Sequence, residues 1–419
     1  MKKVRKTSNL NSNKSPNKKR IEETRKNLMK KTSPRNLKRN NIRNFEDEEI
    51  EEIIISRGKI DSIITTSMII LVILGCIMVF SASYYFAETK IGDIAFFFKK
   101  QAIFAGIGFI VVFAFVCRID WRVFKRFAPV FYIVFCFFSF LVLFIGIEAK
   151  GAKRWLGVGP FQFQPSELTK VGLILFLSKY LDEHKNILNT WGGFLKTCVW
   201  VAIPFCLIAV ENASTAIILG VIGMSIIFVA SPRIDYFIAM AVAGAGGLIG
   251  MFTFGAKFRM ARLEAWLNPF AEGVSSDVGF QTVQSLYAIG SGGFFGLGLG
   301  QSRQKLGFIP EGHNDIIFSV ICEELGIFGA FLFIVLFSMI IWRGYIIAIK
   351  APKTYMTYVC TGITTMIAVQ VVLNIAVVTN TIPNTGVPLP FVSYGGTSLI
   401  ILMASTGVLL NFSRYFTND

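Results

Sequence analysis

The chain has 419 residues, of which 53% are hydrophobic and only 16% charged. Soluble domains carry about 25% charge, so a cytosolic enzyme, a chain disordered throughout and a disulfide scaffold are all excluded. The net charge of +16 is unevenly placed: residues 1–59 hold 18 Lys/Arg against 8 Asp/Glu, and the other 360 residues hold 24 against 18.

The first 44 residues are mostly Lys, Arg, Asn and Ser. They are too polar to bury a core and read as disordered. An acidic run, Glu46–Glu52, leads into the first apolar stretch. Two regions are therefore expected: a basic cytoplasmic tail, 1–59, and a membrane domain, 60–419. No aromatic or folded module accompanies the basic residues. They read as a positive-inside segment touching anionic membrane lipid, with no nucleic acid as partner. Both the tail and the apolar run after it are too long for a cleaved signal peptide.

A helix crossing a bilayer needs about 20 apolar residues. Ten such stretches follow in order: 61–86, 96–116, 127–147, 166–181, 195–210, 213–231, 234–254, 315–342, 355–379 and 395–413. The expected fold is all-α, a polytopic membrane protein of ten transmembrane helices with a large outer loop between helices 7 and 8. With both termini cytoplasmic, the inner loops collect Arg118, Arg122, Lys125, Arg126, Lys185, Arg233, Arg343, Lys350, Lys353 and Arg414, as the positive-inside rule requires.

Two outer loops run against that bias. Residues 148–165 contain Lys150, Lys153 and Arg154, and residues 255–314 contain Lys257, Arg259, Arg262, Arg303 and Lys305. Cations there suit an anionic group handled at the outer face, against the plainer reading of solvated charge. The second loop is too long for a connector. Phe280, Leu286, Tyr287, Phe294 and Phe295 make it apolar and Gly290–Gly293 make it tightly turned. It is expected to pack on the membrane domain as short helices.

Candidate chemistry is limited by composition. The cysteines (Cys76, Cys117, Cys136, Cys198, Cys206, Cys322 and Cys360) form no C-x-x-C pair and read as packed, reduced core residues. His184 and His313 are the only histidines, which excludes an H-E-x-x-H zinc site but leaves a hard cation held by oxygens open. Asp315 opens an apolar helix at the outer surface. It reads either as a helix cap or as a carboxylate at a cavity mouth, able to act as general base on a sugar hydroxyl. Glu311 lies four residues earlier. Glu323 and Glu324 sit inside the same helix, where a carboxylate lines a cavity or pairs with a cation. In Gln164–Lys170, Pro165 and Ser166 suit a helix start and place Glu167 and Lys170 on one face, as an ion pair or as a grip on a diphosphate. Glu211-Asn212 forms a polar turn. The prolines between Asn374 and Gly396 demand a fixed nonhelical path between two spans.

These segments together resemble the SEDS family (shape, elongation, division and sporulation), the FtsW, RodA and SpoVE group of bacterial membrane proteins. The resemblance rests on Gly151-Ala152-Lys153-Arg154-Trp155-Leu156, Gln164–Lys170, Gly279-Phe280-Gln281 through Ser285, Ala288–Gly293, Gln304-Lys305-Leu306, Pro310–Phe318, Glu323-Glu324-Leu325-Gly326 and Thr385-Gly386 through Gly396, in order over residues 60–413. The stretch Gln304–Phe308 looks more like the FtsW or SpoVE branch. The resemblance implies an inverting peptidoglycan glycosyltransferase that polymerises lipid II at the outer face of the cytoplasmic membrane, for septal wall synthesis in division, with undecaprenyl diphosphate leaving. The family's catalytic Asp falls on Asp315, its G-A-x-R-W arginine on Arg154 and its buried lysine on Lys170. Lys153, Glu167, Gln281, Lys305, His313 and Ser393 are the further candidate substrate-binding residues. A divalent cation (Mg or Mn), no organic cofactor, a class B penicillin-binding protein (a transpeptidase), an undecaprenyl-diphosphate-linked glycan and other divisome proteins are implied as well. Two departures stand out: Asn212 replaces the Asp of a P-D-x-G-T turn, and Asn380 replaces a usual Gly. A lipid II flippase and a noncatalytic scaffold for the transpeptidase are the alternatives.

Overall fold

The structure, a computed structural model, describes residues 58–149, 152–158, 161–240, 266–270, 278–309 and 312–415. The tail up to residue 57 lies outside them, as do Lys150, Lys257, Arg259, Arg262, Pro310 and Glu311. In chain order the elements are α1 (Ser62–Ile91), α2 (Phe96–Ile110), α3 (Trp121–Ile145), β1 (Ile147–Ala149), β2 (Ala152–Val158), β3 (Phe161–Phe163), α4 (Pro165–Glu183), α5 (Trp191–Ala209), α6 (Ala213–Ala230), α7 (Val278–Gly292), α8 (Ile317–Ile349), α9 (Thr354–Val378) and α10 (Thr397–Ser413).

Local chemistry sets the helix starts. Asp61, Asp120, Thr190 and Asn212 each accept a backbone N–H of the first turn, at the heads of α1, α3, α5 and α6, which satisfies donors the helix itself cannot. These caps start α3 at Trp121 and α5 at Trp191, upstream of the expected 127 and 195, because a cap recruits the polar turn before the apolar run. Pro165 occupies the first position of α4, as expected. The carboxyl end of α2 loosens into a π turn, Val111–Phe115, and a 3-10 turn, Val116–Arg118. The amide of Asn411 in α10 donates to the freed carbonyls of Val116 and Ile119 at 2.6 and 2.7 Å.

Seven helices among the described residues are long and apolar enough to cross a membrane: 62–91, 96–118, 121–145, 191–209, 213–230, 317–349 and 354–378. The expected ten is not reached on that measure. Helix α4 carries Glu167, Lys170, Lys179, Asp182 and Glu183, α10 has 17 residues, and the expected 234–254 helix is described only through Met240. The burial pattern is nonetheless that of a lipid-solvated bundle. Ile73, Ile133, Leu195, Phe328 and Trp342 face outward while Lys170, Thr197, Glu324, Asn374 and Asn411 are buried. Exposing one such apolar side chain to water costs about 1.5–3 kcal/mol, a cost that hydrocarbon removes. Helix α4 packs against α3, α6, α9 and α10, so its Glu167 and Lys170 sit among protein groups rather than lipid.

The 148–165 loop is a small antiparallel sheet in the order β1-β2-β3, with Glu148 opposite Lys153 and Leu156 opposite Phe163. The large loop contributes α7, in line with the expected short helices. Of the cysteines, all free, Cys117, Cys136, Cys322 and Cys360 are buried as expected, but Cys76 and Cys198 are half-buried and Cys206 is exposed on α5, because lipid, unlike water, leaves a thiol on the outer face without penalty.

Helix α8 is interrupted at Gly326, whose φ of 66° is left-handed. The N–H groups of Ile327 and Phe328 turn to the carbonyls of Gly293 and Phe294, and the carbonyls of Glu323 and Glu324 receive Leu297 and Gly298. The glycine-rich segment after α7 thus replaces two helical hydrogen bonds in each direction, which keeps the interrupted backbone satisfied away from water. A second nonhelical segment, 380–396, leaves α9 through a Schellman turn. Asn380 N–H reaches Val377, Thr381 N–H reaches Ala376, and Asn380 takes a φ of 55°. Asparagine tolerates that region better than other side chains, which is how it stands in for the usual glycine. The segment then packs deep in the bundle: a Cβ on Gly75, midway along α1, would lie 2.6 Å from the Phe391 carbonyl, and Phe391 itself is buried at a φ of 62°.

Candidate active site

Three clusters hold the candidate residues. The first is built on His313-Asn314-Asp315, the turn before α8. Asp315 lies two residues ahead of the first helical residue, the N-cap is Ile316, and no side chain caps the helix. The cap reading of Asp315 is therefore not what the structure shows. Three consecutive carbonyls of this turn are held by donors from the 389–394 segment and α9. Tyr394 N–H donates to His313 at 3.0 Å, the Ser393 hydroxyl donates to Asn314 at 2.6 Å, and the Asn374 amide donates to Asp315 at 2.6 Å. The Ser393 hydroxyl also accepts Leu389 N–H at 2.8 Å, and Gln101 donates to the Ser393 carbonyl at 3.2 Å. Ser393, a candidate substrate contact in the sequence, thus has both roles of its hydroxyl filled internally.

Asp315 is half-buried and next to exposed Gly386. A Cβ on that glycine would stand 3.5 Å from Oδ2 of Asp315, and its φ of 65° is left-handed. Only a glycine brings bare backbone to the carboxylate in that conformation without strain. Gln281, on α7, reaches the same turn by accepting from the Asn384 amide at 3.2 Å. The His313 ring is buried against Phe97 at 4.3 Å, Phe86 at 5.7 Å and Tyr394 at 5.8 Å, and so supports the turn from below. Burial pushes the Tyr394 phenol up from its usual value, so that ring stays neutral.

The second cluster lies where β2 meets the α5–α6 turn. Lys153 N–H donates to the Glu211 carboxylate at 2.8 Å, and Arg154 Nε donates to the Glu211 carbonyl at 3.2 Å. These residues, with Gln164, Ser166 and Asn212, line a pocket closed by apolar groups of α3 and α5. One turn into α4, Lys170 is fully buried and bonds Glu167 at 2.8 Å, the i,i+3 pair expected from the spacing. Asn212 caps α6 through Thr215 N–H at 3.1 Å, a task an Asp there would perform equally. The Thr397 hydroxyl bonds the Gln162 carbonyl at 2.9 Å, which ties this sheet to the end of the 380–396 segment.

The third cluster corrects an expectation. Lys305 does not face the site: its ammonium bonds Glu324 at 2.6 Å and Ser81 at 3.0 Å and lies 4.8 Å from the Tyr84 ring, with neither charged side chain more than 1% exposed. Glu323 accepts Arg303 N–H at 2.8 Å and the Ser302 hydroxyl. The carboxylate expected inside a span has found its cation, and both are sealed from solvent. Asn374 and Gln101 were the residues the sequence reading left without a role. Their signal was present, an amide inside an apolar helix, but its partners were not.

A cation is implied by the resemblance. Among the described residues no three His, Cys, Asp or Glu side chains gather around one point, so these residues build no closed metal cage. Among the described residues of the His313–Asp315 turn, Asp315 is the one that offers a carboxylate.

A family profile described as cell cycle protein, FTSW_RODA_SPOVE, matches residues 61–418. The chain is 42% identical over 360 residues to stage V sporulation protein E of Bacillus subtilis, covering 85% of this chain and 97% of that one. It is 36% identical over 357 residues to the probable peptidoglycan glycosyltransferase FtsW of Geobacter sulfurreducens, covering 84% and 95%. Among solved structures, a chain from a peptidoglycan synthase complex superposes with a TM-score of 0.72 at 24% identity, over 85% of this chain and 98% of that one. The rod shape determining protein RodA of Thermus thermophilus superposes with a TM-score of 0.63 at 26% identity, over 86% and 98%.

Proposed function

The chain belongs to the FtsW/RodA/SpoVE family, and from that premise we propose that it is a multi-pass membrane peptidoglycan glycosyltransferase that polymerises lipid II with Asp315 as general base. The observation that carries Asp315 is the clamped turn: a half-buried carboxylate not used as a cap, on a backbone held at three successive carbonyls, beside the bare backbone of Gly386. Such a group takes the proton of the acceptor sugar hydroxyl as that oxygen attacks the anomeric carbon of the donor. The C–O bond to the lipid diphosphate breaks with inversion, and the electron pair leaves on the phosphate. Arg154 and Lys153, beside their shared pocket, are the charges suited to hold that departing anion. The Glu167–Lys170 pair behind them fixes the first turn of α4. A divalent cation of the Mg kind, which takes one or two carboxylates and phosphate oxygens, would arrive with the diphosphate.

In this reading the Asp315 end of the bundle faces outward, both termini are cytoplasmic, and a transpeptidase of the penicillin-binding class is the partner. The solved complex resembled here is itself named a peptidoglycan synthase complex. The 42% and 36% identities to SpoVE of Bacillus subtilis and FtsW of Geobacter sulfurreducens support a role in septum or spore wall. The test is polymerisation of purified lipid II by the chain with its cognate transpeptidase. Asp315→Asn should lose at least about a hundredfold in rate, the low end of what general base catalysis supplies, while remaining folded. Normal glycan from that variant would favour the scaffold alternative and end the proposal.

A further inference from the structure

Of the two nonhelical segments that meet at the site, 312–316 leads into α8 and 384–389 follows α9. One side chain joins them. Asn374, one turn before the end of α9 and 1% exposed, donates one amide proton to the Asp315 carbonyl at 2.6 Å and the other to the Val387 carbonyl at 2.8 Å. Val387 directly follows Gly386, the residue on which a Cβ would stand 3.5 Å from Oδ2 of Asp315. We propose that Asn374 is the positioning residue of the reaction: its amide sets the Asp315 carboxylate against the Gly386 turn and so fixes where the acceptor hydroxyl must sit. The proposal rests on the glycosyl-transfer reading above.

Three features separate this contact from ordinary helix packing. Both protons of the amide are committed to carbonyls on segments 72 residues apart in sequence, so a single rotation of the side chain would release both. The Asn374 oxygen is buried without a hydrogen-bond partner. Packing alone would be served as well by leucine, which leaves no orphaned acceptor, and an unsatisfied buried group of this kind asks for an explanation. Lastly, the other two clamps, Tyr394 N–H on His313 and Ser393 on Asn314, come from one side of the turn. Asn374 is the donor that restrains it from the α9 side. A geometric error of about 1 Å at a reacting group can cost about a hundredfold in rate, so a residue that never touches substrate can still govern turnover.

The experiment compares wild type, Asn374→Leu, Asn374→Ser and Asp315→Asn, each full length and co-purified with the cognate transpeptidase. It measures kcat and KM for lipid II polymerisation, equilibrium binding of lipid II, and the thermal unfolding midpoint. Asn374→Leu should lower kcat by about ten- to a hundredfold with KM and lipid II binding within about twofold of wild type. Asn374→Ser keeps one donor and room for a water; it should fold and fall between. A folded Asn374 variant with unchanged kcat, or one whose kcat, KM and binding worsen together with its unfolding midpoint, overturns the positioning role. If Asp315→Asn itself turns over normally, the glycosyl-transfer reading has failed; if it is dead while both Asn374 variants are fully active, only the positioning role has.

Discussion

Lys305 and Glu324 meet at 2.6 Å with both side chains sealed from solvent, and Ser81 donates to both oxygens of the same carboxylate at 2.7 Å. Two charges in such surroundings repay their desolvation only as a pair. Lys305→Met should therefore cost about 3–5 kcal/mol, the penalty of leaving a buried carboxylate without its cation. Adding Glu324→Gln should recover part of that loss, and the thermal midpoints of the single and double variants measure both. Asp315 is the opposite case. It is half-buried and outside the helix, so Asp315→Asn should barely shift the unfolding midpoint while ending polymerisation. A residue that holds the fold and a residue that serves chemistry are distinguished by which of the two readouts moves.

At the scale of elements, the decisive feature is the interruption of α8 by the segment after α7. A Cβ on Gly296 would stand 2.1 Å from the Glu324 carbonyl oxygen, a backbone atom that cannot yield, while one on Gly300 would meet nothing within 4 Å. Both glycines have left-handed φ, 78° and 83°. Gly300→Ala should then cost only the conformational penalty, about 1–2 kcal/mol. Gly296→Ala should expel the inserted segment and abolish accumulation of folded protein, read as the monodisperse fraction after detergent extraction. Equal behaviour of the two variants would mean that the segment is not inserted. The spans themselves were readable from runs of apolar residues, and the start of α4 from Pro165. The insertion was not, because glycine runs report freedom of the backbone and not which carbonyls it will meet.

For the whole molecule, function demands a sidedness. Arg154, Glu211 and Asp315 belong to the end of the bundle reached by Gln162, which is exposed and tied to Thr397. Lys185, also exposed, follows α4 at the other end. In intact cells a membrane-impermeant thiol reagent should label Gln162→Cys and should reach Lys185→Cys only after permeabilisation, both in a chain whose native cysteines are replaced by serine or alanine. The reverse pattern would put Asp315 on the cytoplasmic side, away from the growing wall, and would remove the proposed activity.

Hydrophobic composition and run length alone determined that this chain lives in a bilayer, since about 20 apolar residues in a row have no other low-energy solvent. They also showed that its polar residues inside spans need partners, and its motifs carried the family. The Glu167–Lys170 pair was legible for the same reason: helical periodicity places i and i+3 together without help from the rest of the fold. The tertiary structure decided everything that joins distant segments. Lys305 found Glu324 and Ser81 instead of substrate, Ser393 turned inward to Asn314, and Asn374 reached the Asp315 backbone. A buried donor must be satisfied but does not specify by whom, so only the packing of the elements around it settles the choice.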